Sequence, residues 1–160
     1  MDTIHPLIRE SRGPVDIIEK IIYNLTQVHP LHTMIVHFPI ALTGAALFFI
    51  LLALWRRSDA LEQVAFANIS LAAVSTVVAA ITGIMDNAAF YDGAAPNSSV
   101  KIILATILFV VTTTTALVRW KKPEIFHTPI QKFIYIGAYL ISFALTAVLG
   151  FLGGVILYGF

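Results

Sequence analysis

The sequence contains no cysteine. The chain alone therefore offers no disulfide, no thiolate metal site, no thioether-linked haem and no iron–sulfur cluster, and any metal would have to be held through His, carboxylate or Met. Charge is scarce as well: Asp, Glu, Lys and Arg make up 12% of the 160 residues, against 58% hydrophobic. That balance lies outside the range of water-soluble domains and reads as an integral membrane protein. Neither sign dominates, since the formal net charge is +1 and the 10 Lys and Arg are scattered. Duplex binding needs a dense basic face, so nucleic acid is not an expected partner. Also missing are a Ser/His/Asp order, a phosphate-cradling glycine loop and a pair of catalytic carboxylates, which argues against an enzyme with its own active site. No internal repeat of broken helices appears, and this disfavours a transporter.

Along the chain, residues 1–13 mix Asp2, His5, Arg9, Glu10 and Arg12 with prolines nearby and lack the apolar core of a signal peptide, so none is expected. From Pro14, which suits a first helical turn, Val15, Ile18, Ile22 and Leu25 form one stripe. Asp16, Glu19, Lys20, Asn24 and Gln27 lie elsewhere. This spacing predicts an amphipathic helix lying flat in the membrane interface, or else capping the bundle, within an N-terminal tail of residues 1–30.

Residues 31–160 then read as a four-span domain, with spans at about 33–55, 64–85, 100–118 and 132–158. Trp55-Arg56-Arg57 and Arg119-Trp120-Lys121-Lys122 supply aromatic and basic anchors where the first and third spans leave the bilayer. Ser58, Asp59 and Glu62 are expected in a short turn, and Asp86 to Ser99 in a polar loop. The second span, rich in Ala, Ser, Thr and Gly, should be the most buried, because small residues let helices approach closely in lipid. The hydroxyls of Thr112 to Thr115 are expected to bond back to helix carbonyls or to a neighbour. The fold class is thus all-α: an integral membrane four-helix bundle preceded by an amphipathic interfacial helix. Arg56, Arg57, Arg119, Lys121, Lys122 and Lys132 cluster in the connections after the first and third spans. By the positive-inside rule those connections are cytoplasmic, so both termini, the histidines of the first span and the Asp86 loop face the periplasmic side.

Three of the five histidines, His29, His32 and His37, fall together at the mouth of the first span. Neutral imidazole suits zinc, copper, iron and haem, and with Asp86 at the end of the second span on the same side these three make a candidate metal shell. Five residues separate His32 from His37, about 140° around a regular helix, so both reach one ion only if the helix starts late or is distorted by Pro39. A tetrapyrrole needs one imidazole per face. His37 has Ala41, Gly44, Ala45 and Phe48 around its side, which would leave room for a flat ring. A structural account competes with both: His29 and His32 as polar residues at headgroup level, and His37 bonded to Asp86 or to a carbonyl. His127, at the other end, reads as a loop residue.

The stretch His29-Pro30-Leu31-His32-Thr33-Met34-Ile35-Val36-His37-Phe38-Pro39-Ile40-Ala41-Leu42 resembles a bacterial membrane-protein family, domain of unknown function twenty-two thirty-one. The resemblance continues in Thr82-Gly83-Ile84-Met85-Asp86, in Leu149-Gly150-Phe151-Leu152-Gly153-Gly154 and in Tyr158-Gly159. It implies a four-helix domain of the bacterial inner membrane. Relatives fused to or encoded with cytochrome c and Rieske-type modules imply an electron-transfer setting. His29, His32, His37, Asp86 and the Gly153-Gly154 pair are the positions it marks. Further histidines of the family pattern, at the start of the third span and near the end of the fourth, are absent here, which counts against axial pairing between helices. The expected function is an accessory membrane subunit of an electron-transfer or photosynthetic complex, with the lipid bilayer and other membrane subunits as partners. The rival is a protein holding haem b, bacteriochlorophyll or a metal through His37 and His32, and a proton-linked channel ranks last.

Overall fold

A computed structural model describes residues 17–20 and 31–158. The expected amphipathic helix falls mostly outside them; residues 17–20 are helical and exposed. His29 also lies outside the described residues. Among those residues the elements are α1 (Leu31–Ile35), α2 (His37–Arg56), α3 (Asp59–Tyr91), α4 (Ser98–Lys121), a 3-10 turn (Pro123–Phe126) and α5 (Pro129–Tyr158), with no strand. Helices are the only open-ended spans in which every backbone N–H and C=O is satisfied without water, and these apolar runs take that form.

The first span is one helix with a hitch. Pro39 has no N–H to offer the carbonyl of Ile35, and the next bond, from Ile40 N to Val36 O, stretches to 3.5 Å. Val36 nevertheless keeps right-handed helical angles (φ −61°, ψ −22°), so α1 runs on into α2 and together they cross as Leu31–Arg56. At the far end Arg57 turns left-handed (φ 52°), and Ser58 at once caps α3 by accepting the Leu61 N–H at 3.4 Å. The two helices are thereby joined by a minimal turn. Asp59 and Glu62 lie in the first turn of α3, where the helix dipole favours negative charge.

Helix α3 has 33 residues, about 50 Å at 1.5 Å per residue and well beyond a hydrocarbon core of about 30 Å. It ends in left-handed Asp92 (φ 49°) followed by Gly93 (φ 79°). The polar loop is therefore shorter than the sequence suggests: residues 86–91 remain helical and only 92–97 turn. Glu62 likewise belongs to helix rather than to a turn. Pro123 opens the 3-10 turn that tucks Ile125 and Phe126 under the bundle, and Pro129 opens α5, where its missing N–H costs nothing.

Each long helix packs against its sequence neighbours, and α2 closes the ring against α5. Those two run antiparallel: Ile40 touches Gly150, the Thr43 and Thr146 hydroxyls meet at 2.8 Å, and Gly44 lies under the ring of Phe143. Helix α3 is the most buried span. The core toward the basic connections is built from Ala46, Ile50, Ala53, Ala65 and Ile69, closed by Ile125, Phe126, Tyr135 and Tyr139. Large apolar side chains cover the outside, and Trp55 and Trp120, both 74% exposed, sit at the basic end as an interfacial belt. A bundle apolar on both its inner and outer faces is a membrane-embedded one.

Candidate functional site

At the end away from the basic connections, His32 is clamped to α3 twice. Its backbone N–H donates to Asp86 Oδ2 at 2.8 Å, and its ring Nδ1 lies 2.9 Å from the carbonyl of Ala79. A carbonyl can only accept, so Nδ1 carries the proton and Nε2 of the neutral ring is left as an acceptor. Gly83 makes the fit: a Cβ there would stand 3.1 Å from His32 Cε1 and 3.2 Å from Nδ1, so the ring lies against bare helix backbone. Asp86, though near the end of a long helix, is buried. Its carboxylate receives an N–H in the opening turn of the first span, where the helix dipole adds to the bond.

His37 takes the carbonyl of Thr33 at 2.7 Å through Nδ1, the carbonyl option of the structural account, while Asp86 serves His32 instead. Both imidazoles thus have a fixed tautomer with Nε2 unbonded among the described residues. The two histidines line one cavity of about 280 Å³, which Asp86, Gly153 and Gly154 also line. Sequence positions that are far apart are gathered here. Among the described residues no three His, Asp or Glu converge as a metal shell. A group held through a single imidazole fits this arrangement. Both described histidines at this end belong to the first span, and Asp86 of α3 lines the same cavity. Of the residues around His37 on its helix, Gly44 is covered by Phe143, whose Cε2 lies 3.4 Å from where a Cβ would stand, while Ala41 and Phe48 are exposed.

A second polar cluster occupies the opposite end. Glu62, 1% exposed, accepts Arg119 Nε at 2.6 Å and Nη2 at 2.7 Å in a fork, and Tyr135 Oη at 2.8 Å; Tyr139 Oη lies 2.7 Å from Tyr135 Oη. Arg119 therefore faces inward as an interhelical partner, with its guanidinium 5.5 Å from the Phe66 ring centre, rather than serving as a lipid-headgroup anchor. Sequence reasoning missed this cluster. The available signal was a pair of tyrosines one turn apart in an otherwise apolar span, at the same end as an acid and an arginine. His127, exposed, stands 3.4 Å from the exposed carboxylate of Asp59. Thr112 and Thr115 bond back to the carbonyls of Leu108 and Val111, as expected, whereas the buried hydroxyl of Thr113 has no hydrogen-bond partner among the described residues.

Four apolar crossing helices, held by polar clamps at both ends, define a multi-pass helical membrane protein. Residues 28–160 match the family model described as Predicted membrane protein (DUF2231), and the chain belongs to that family. No curated protein and no solved structure matches it.

Proposed function

We propose that this protein is a non-catalytic subunit of a larger electron-transfer or photosynthetic assembly in the bacterial inner membrane, with the His32 end on the periplasmic side. One observation carries the reading. Most of the buried polar groups hold helices together: the backbone N–H and ring Nδ1 of His32 are bonded to Asp86 and to the Ala79 carbonyl across α1 and α3, and Glu62 is bonded to Arg119 and Tyr135 across α3, α4 and α5. The electron-transfer setting follows from the family resemblance of the histidine motif, and the orientation from the basic connections. Mild-detergent purification is expected to bring the chain out with other membrane subunits. A monodisperse, partner-free monomer would overturn the proposal.

A second reading, that His37 holds haem b, bacteriochlorophyll or a metal, draws on its carbonyl-fixed Nδ1. An imidazole so oriented presents Nε2 to a ligand. The absorption spectrum of the purified protein separates the two. A visible band in the wild type that disappears in His37→Ala, with the protein still assembled, supports the second reading; no band, together with no metal by elemental analysis, supports the first.

A further inference from the structure

Above the His32 clamp the bundle is not filled. A cavity of about 560 Å³ runs between α3 and α4, with α2 and α5 at its back, within the range of about 300–1,000 Å³ in which proteins hold small ligands. Its walls are mostly apolar, and the threonines that reach it, Thr76, Thr106 and Thr146, donate their hydroxyls to carbonyls of their own helices. On one side it is lined by residues that are themselves exposed on the lipid-facing surface, Ile84 (66%) on α3 and Ile102 (58%) on α4 among them. The cavity therefore opens sideways, toward the bilayer.

Among the described residues the one cation on its wall is Lys101. This side chain is half-buried, and among the described residues no carboxylate forms an ion pair with it. It also lies in the opening turn of α4, the end of a helix where its dipole disfavours positive charge. Burial, helix position and the lack of a counter-ion all weigh against a cation here, and an anion at the cavity mouth would offset all three. Ser98 and Asn87 flank the same mouth. Asn87 Oδ1 is held by the Ala95 N–H at 2.9 Å, which leaves its amide N–H groups to donate.

We infer that this cavity is a lipid site, taking one acyl chain of an anionic phospholipid between α3 and α4 with the phosphate on Lys101. The lateral opening delivers the chain from the bilayer, and a lysine within a turn of the span's end stands at headgroup depth. The cavity adjoins the smaller one beside His37, and Lys101 and Gly83 line both.

Native mass spectrometry of the full chain, titrated in detergent with phosphatidylglycerol, phosphatidylcholine or a free fatty acid of the same chain length, tests this. One phosphatidylglycerol should be retained in preference to phosphatidylcholine by about tenfold, the size of a charge-assisted hydrogen bond. Lys101→Gln should bring that ratio close to one, while Lys122→Gln, at the other end, leaves it unchanged. Ala105→Phe, which puts a ring into the cavity, should remove the bound lipid of either kind, with helix content by circular dichroism as the check on folding. Equal retention of the two phospholipids by the wild type, an undiminished preference in Lys101→Gln, or tighter binding of the fatty acid would each overturn the assignment.

Discussion

Removing either member of the Glu62–Arg119 pair should destabilise the bundle, but by unequal amounts, because the two side chains are not equally trapped. Arg119 retains 13% side-chain exposure and Glu62 only 2%. In Arg119→Met the carboxylate of Glu62 keeps a single donor, Tyr135, and its short stem cannot carry it to water. Leaving a buried charge without its partner costs about 3–5 kcal/mol. In Glu62→Gln the side-chain volume is kept and the amide oxygen still accepts from Tyr135. The guanidinium, on a long stem beside Trp120 at the membrane interface, can turn outward to the headgroups. That loss should be nearer about 1–3 kcal/mol, the cost of an imperfectly satisfied polar group. The double variant should then be well short of additive, because Arg119→Met removes less once the carboxylate is gone. Equilibrium unfolding of the full chain, by detergent titration or steric trapping, measures all three differences. Equal costs, a reversed order or simple additivity would refute the view that Glu62 is the trapped partner.

Two further outcomes follow from the packing. Gly83→Ala should destabilise by about 1–3 kcal/mol, since the new methyl meets the rigid imidazole of His32 rather than a flexible tip, while Gly137→Ala, with no atom near its added carbon, should be neutral or slightly stabilising in the same unfolding assay. Topology is checked by single cysteines in an otherwise cysteine-free chain: Ala94→Cys should react with an impermeant thiol reagent from the periplasmic side and Glu124→Cys should not, and the reverse pattern would place the His32 end in the cytoplasm.

By itself the sequence determined the number of spans, their helical form, and which ends share a side. Each follows from a constraint acting on one segment at a time: an apolar run long enough to cross lipid has only the helix available to it, and short connections force neighbours antiparallel. For that reason the histidine motif and Asp86 were legible as neighbours at one end, and the small residues of the second span as a buried face. Which atoms meet was decided only by the tertiary structure. Asp86 receives the His32 N–H rather than the His37 ring, Phe143 closes the space beside Gly44, Glu62 pairs with Arg119 across 57 residues, and a cavity remains beside Lys101. All four depend on how far each helix is rotated about its own axis. A soluble helix reveals that rotation through its polar face, but these helices are apolar nearly all round, so their rotation is set by the partners they pack against and by the few buried polar groups that must find one another.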